Sequence, residues 1–82
     1  MRQLEDLLLF LARSLVDEPE KVEVSGQETE SRVDFTLRVA QRDMGKVIGR
    51  GGRIVKAIRT VMKAASVKAN KRVNVEVVDY EP

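Results

Sequence analysis

The stretch that most constrains this chain is Val47-Ile48-Gly49-Arg50-Gly51-Gly52-Arg53-Ile54, a glycine-rich loop between two apolar-periodic segments. Glycine lacks a Cβ, so Gly49, Gly51 and Gly52 can take backbone angles closed to other residues and let another backbone approach closely. Residues 43–48 read as a short helical turn, with Asp43 as its N-cap, and the segment from Arg53 onward reads as a longer helix. Free N–H groups at the start of that helix would point back at the loop and attract an anion. Arg50 and Arg53 add positive charge at the same place. A phosphate backbone fits that combination.

The spacing excludes two familiar phosphate binders. No glycine here is followed by Lys and then Ser or Thr, as a Walker loop requires. Gly49-x-Gly51 begins a dinucleotide fingerprint, but Ile54 stands where the third glycine belongs, and the preceding segment is helical rather than a buried strand.

Charge along the chain is uneven. Residues 1–40 carry five basic and nine acidic residues, whereas residues 41–72 carry ten basic residues and Asp43 as their one acid. The positive charge therefore gathers around the glycine loop, as a polyanion footprint requires, within a chain whose net charge is only +2. Cysteine and histidine are both absent, which removes disulfides, thiolate metal sites and the commonest general base. The Ser and Thr residues have no identifiable base beside them. No catalytic, metal or cofactor site is expected.

With 82 residues, the chain is expected to form one domain, near the lower size at which a single core suffices. The apolar run Leu7–Ala12 follows Glu5 and Asp6, where a secretory signal would be basic, and is too short to span a bilayer. The expectation is a cytoplasmic protein with no membrane partner.

The coarse pattern is α-β-β-α-α-β. Residues 2–16 form an amphipathic helix with Leu4, Leu7, Leu8, Leu11 and Leu15 on its buried stripe, stopped by Asp17-Glu18-Pro19. Residues 21–24 alternate as a strand, 25–30 turn, and 32–39 alternate again with Val33, Phe35, Leu37 and Val39 on one face. The helix over 53–69 places Ile54, Ile58, Val61 and Ala65 on one side, and Arg53, Lys56, Arg59 and Lys63 on the polar side. Asn70 ends it, residues 72–77 form a final strand, and the tail 78–82 is expected to fray at its tip. Phe10, Phe35 and Tyr80 are the only aromatic residues, too few for a base-stacking platform.

Gly-x-x-Gly between two helices, preceded by Val47-Ile48 and followed by Arg53-Ile54-Val55-Lys56-Ala57-Ile58, resembles the signature loop of the KH domain. Two strands before the loop and one after it resemble the type II arrangement, and the likeness covers Leu4 to Val77. The resemblance implies an α+β fold, residues 1–82 forming a single type II KH domain, with a three-stranded sheet packed on one side by three helices. It implies a single-stranded RNA-binding protein, an RNA chaperone or post-transcriptional regulator. Gly49-Arg50-Gly51-Gly52 would grip consecutive phosphates, with Arg53 and Lys56 adding phosphate contacts. By the same analogy Val47, Ile48, Ile54 and apolar residues of the longer strand would line a shallow groove for the bases, with ordinary core packing the alternative for Val47, Ile48 and Ile54.

The stand-alone length is similar to that of the KhpA-like family of small bacterial KH proteins. That similarity implies a homodimer, a heteromer with a larger KH-containing protein (KhpB-like), and a link to cell elongation and cell-wall homeostasis. Apolar residues spread around the long helix, among them Val55, Met62 and Val67, would suit either a partner helix or an enclosed core. A second reading treats the fold as a protein-interaction or dimerisation scaffold with the loop as a vestigial turn. Arg50 and the surrounding charge argue against it.

Overall fold

The computed structural model describes residues 2–79. Its elements run α1 (Arg2–Arg13), β1 (Glu23–Glu28), β2 (Arg32–Val39), α2 (Met44–Ile48), α3 (Arg53–Ser66) and β3 (Arg72–Asp79), the expected order. One sheet has the strand order β1-β2-β3, with β1 antiparallel and β3 parallel to the central β2. The fold is α+β, with the helices on the sheet's apolar face. Among the described residues no helix is long and apolar enough to cross a membrane. The expected fraying of the tail tip, and Tyr80, lie outside the described residues.

The helices cover one face of the sheet, so the residues of β2 on that face must be apolar. Val33, Phe35, Leu37 and Val39 are buried as the alternation predicts, while Arg32 and Arg38 are exposed. Leu4, Leu8 and Ala12 of α1 and Ile58 and Met62 of α3 close over them, and Val75 of β3 completes the layer.

β3 runs on to Asp79 rather than ending at residue 77, and α2 starts at Met44 rather than 43. Larger departures from the sequence reading have tertiary reasons. α1 ends at Arg13, and Leu15, expected on the buried stripe, is 37% exposed. The backbone amides of Asp17 and Glu18 bond the Asp43 carboxylate at 3.1 and 3.0 Å. A longer helix would turn those amides toward its own carbonyls, so the chain leaves the helix early.

β1 spans Glu23–Glu28 rather than 21–24, and Lys21 belongs to a 3-10 turn begun by Pro19. Most of the expected turn is therefore strand. Ser-Gly-Gln-Glu has weak strand propensity, but cross-strand pairing with β2 overrides it, and Gly26 opposite Phe35 leaves room for the ring. Only Thr29–Ser31 turn, held by the Thr29 amide on the Arg32 carbonyl at 2.8 Å.

The buried stripe of α3 is Val55, Ile58, Met62 and Ser66, rotated about one residue from the expected one. Val61 is 42% exposed, and Ile54 and Ala65 are only half-buried. Met62 is fully buried in the core. Ser66 is tolerated inside because its hydroxyl donates to the Lys63 carbonyl at 2.8 Å. The α-helical part stops at Ser66, a 3-10 turn covers Val67–Ala69, and Asn70 takes the left-handed conformation that ends the helix, at the expected residue.

Candidate nucleic-acid interface

The glycine loop joins α2 to α3 through a tight reversal. Gly49 ends α2 with φ 76° and ψ 171°, a region open in practice only to glycine. Its amide closes α2 onto the Gly45 carbonyl at 2.9 Å, and the Gly52 amide returns to the Gly49 carbonyl at 3.1 Å. Arg50–Gly52 form a 3-10 turn that includes Gly51 at φ 64°, and Gly52 enters α3 at φ 78°. All three glycines thus sit at positive φ, which explains why this stretch carries three of the chain's 5 glycines.

The amide of Arg53, expected to be free for an anion, donates to the Arg50 carbonyl. Among the described residues, the amides left without an acceptor at this turn are those of Arg50 and Gly51, at its tip.

Asp43 does not cap α2. Its backbone is helical (φ −97°, ψ −3°), it makes no capping bond, and its fully buried carboxylate accepts both the Asp17 and Glu18 amides. The side chain ties the connection after α1 to the start of the loop-bearing helix. Asp43→Ala strands two partly buried donors and is expected to lower stability by about 2 kcal/mol in urea denaturation. An unchanged midpoint would contradict that role.

Charge is partitioned around this tie. Lys46 pairs with Asp17 at 3.2 Å, and Arg42 and Lys21 pair with Glu18 at 3.7 and 3.5 Å. Arg50, Arg53 and Lys56 are exposed and have no ionic partner among the described residues. Arg59, one turn on, rests its Nε on the Val75 carbonyl at 3.0 Å, bridging α3 to β3.

The sequence-predicted residues therefore separate into two groups. Gly49, Arg50, Gly51, Gly52, Arg53 and Lys56 come together at the loop with accessible backbone or charge. Val47 is fully buried and belongs to the core; Ile48 and Ile54 are half-buried beside the loop. The longer strand does not line an open groove, because its four apolar residues are buried under the helices. The strand that α2 and α3 contact is β3, at the sheet edge. Of its apolar residues only Val75 is buried, while Val73, Val77 and Val78 stay half-exposed.

Comparison with known proteins places this geometry. The model of the KhpA/KhpB KH domain matches residues 5–77. The chain is similar to the RNA-binding protein KhpA of Clostridium acetobutylicum, 56% identical over 75 residues that cover 92% of this chain and all of that protein. It is also similar to the RNA-binding protein KhpA of Listeria monocytogenes (41% identical, covering 93% of this chain and all of that protein). Its counterpart of the same name in Bacillus subtilis is 42% identical, with 95% of this chain and 96% of that protein covered. With the type II order, the Gly-x-x-Gly turn and these matches in agreement, the chain belongs to the KhpA/KhpB KH-domain family.

Proposed function

We propose that this protein binds single-stranded RNA by seating consecutive phosphates on Gly49-Arg50-Gly51-Gly52. The observation that carries the reading is the cluster of unpaired Arg50, Arg53 and Lys56 around a turn whose tip amides have no acceptor among the described residues. Charge-assisted bonds from Arg50 and the backbone hold the phosphates. The sugar–phosphate chain is then pinned so that its bases turn toward Ile48, Ile54 and the β3 edge. Phe35 is buried, so base recognition rests on hydrogen bonds and apolar contact more than on stacking. The names of the relatives support RNA as the ligand.

A loop that touches about four nucleotides binds weakly alone. Pairing with a second copy, or with a larger KH-containing protein of the KhpB kind, raises the apparent affinity through effective concentration. Val61, exposed on α3, and Val67, exposed in the 3-10 turn after it, offer apolar surface to such a partner. The protein then acts without chemistry, as a cytoplasmic post-transcriptional regulator or RNA chaperone. The resemblance links that activity to cell elongation and cell-wall homeostasis.

Fluorescence anisotropy of a labelled single-stranded RNA across a salt series tests the phosphate grip. Three neutralised phosphates give a slope of log K against log salt of about −2. Binding that ignores salt would contradict the reading.

A further inference from the structure

The sheet has two edges. α2 and α3, which carry the glycine loop, contact β3, whereas α1 contacts β1 at the opposite edge. Among the described residues no strand pairs with the outer side of β1. The backbone groups of an antiparallel strand point alternately toward its neighbour and away from it. The bond from the Thr29 amide to the Arg32 carbonyl fixes the phase of that alternation. With this phase and the observed register, Glu23, Ser25 and Gln27 exchange backbone bonds with Arg38, Thr36 and Asp34. Val24 and Gly26 therefore turn their N–H and C=O groups outward, where they meet no partner among the described residues. Such an edge is a template for a further strand.

Under the edge opens a small cavity of about 120 Å³, bounded by Glu5, Gly26, Glu28, Val33 and Phe35. That is the space of about four water molecules, room for the end of one long side chain. Gly26 keeps it open, since a Cβ there would stand 3.1 Å from the Phe35 ring. A residue paired with Gly26 from outside sets its own side chain on the helix-covered face, over this cavity. Glu28 is held by Lys71, whose hydrogen bond keeps its carboxyl below the usual range. Glu5, half-buried in the first turn of α1, has no ionic partner among the described residues. Residues 22–31 hold Glu23, Glu28 and Glu30 and contain no Lys or Arg. Two copies joined along this edge would set two acidic strands side by side, which like charge disfavours, whereas a cationic segment is attracted.

We propose that the outer edge of β1 receives an extended, Lys- or Arg-bearing segment of a protein partner, which adds a fourth strand to the sheet and reaches over Gly26 toward Glu5 with one cationic side chain. Backbone bonds at Val24 and Gly26 supply the attachment, and Glu5 the preference for a cation. The edge lies across the sheet from the strand that the loop helices contact, so this partner and a nucleic acid at the loop occupy separate surfaces.

Amide-resolved NMR of the full chain tests it with three probes: an alternating Lys-Thr octapeptide, the same peptide N-methylated throughout so that it cannot pair as a strand, and an alternating Glu-Thr octapeptide. The plain Lys-Thr peptide is expected to shift the amides of Glu5 and residues 24–28. At saturation it should slow hydrogen exchange at Val24 and Gly26 by at least about 5-fold, while Ser25 and Gln27, already bonded to β2, change little. The other two peptides are expected to leave both readouts unmoved. Glu5→Gln is expected to weaken the Lys-Thr peptide about 5-fold, with the spectrum of the free variant reporting its fold. The three peptides are compared on the unaltered protein, so the outcome does not hang on any variant's folding. Absence of shifts at residues 24–28 with the Lys-Thr peptide would overturn the proposal. Equal shifts from the N-methylated peptide, without slowed exchange at Val24 and Gly26, would overturn strand addition in favour of plain charge attraction. Equal binding of the Glu-Thr peptide would overturn the preference for a cation. Shifts at residues 24–28 that grow with protein concentration alone would overturn it in favour of a second copy on this edge.

Discussion

Gly49→Ala is expected to destabilise the protein by about 3 kcal/mol or more, while Gly51→Ala costs about 1 kcal/mol. Both glycines have positive φ, yet the two sites differ in what surrounds them. At Gly49 the backbone lies at φ 76° and ψ 171°, where alanine is strained in itself. A Cβ there would also stand 2.6 Å from Cγ1, 2.9 Å from Cβ and 2.9 Å from the amide nitrogen of Ile54. One of those atoms is backbone at the second residue of α3, so relief requires moving the helix rather than a side-chain tip. At Gly51, φ 64° and ψ 19° fall in the ordinary left-handed region, and nothing lies within 4 Å of an added Cβ. Urea denaturation of the two variants beside wild type measures the contrast as a difference in midpoints. Similar losses at the two positions would contradict the close packing of Ile54 on Gly49. A domain of this size has a total stability of only about 4–12 kcal/mol, so the Gly49 variant gives up a large part of it.

The same comparison shows why the motif reads so clearly in the sequence. Three glycines at positive φ are a local, residue-specific demand, and local demands are what a sequence displays. The eight-residue alternation of β2 was legible because that strand is central and one face is wholly buried. β1 was not, because an edge strand with five of its six residues exposed is defined by its partner and not by its own composition. The stripe of α3 is legible only to within one residue, because Ile54, Val55, Val61 and Met62 offer two overlapping apolar faces. The choice between them depends on how Ile54 closes over Gly49. Asp43 illustrates the same limit. An aspartate before a helix reads as a cap, and only the fold reveals that Asp17 and Glu18 lie close enough to claim both its oxygens. At the loop, residue types and spacing pointed toward a phosphate site, but not to which amides remain open, nor to the pairing of Lys46 and Arg42 while Arg50, Arg53 and Lys56 have no ionic partner among the described residues.

The Arg50→Asp/Gly51→Asp variant is expected to lose single-stranded RNA binding by about 100-fold or more while remaining folded. The two changes remove the guanidinium and set two carboxylates beside the tip amides, at the place where the phosphates would sit. Loss of charge-assisted bonds worth about 1.5–3 kcal/mol each, compounded by repulsion, accounts for that factor at about 1.4 kcal/mol per decade. The fold is spared for reasons visible at the loop: Arg50 is exposed, the Gly51 Cβ direction is open, and aspartate enters the left-handed region more readily than most residues.

The decisive measurement is anisotropy of a labelled single-stranded RNA titrated with wild type and with this variant at two salt concentrations, circular dichroism reporting the fold of each. The phosphate clamp predicts salt-sensitive binding by wild type that disappears in a folded variant. Equal binding by the two folded proteins would contradict it.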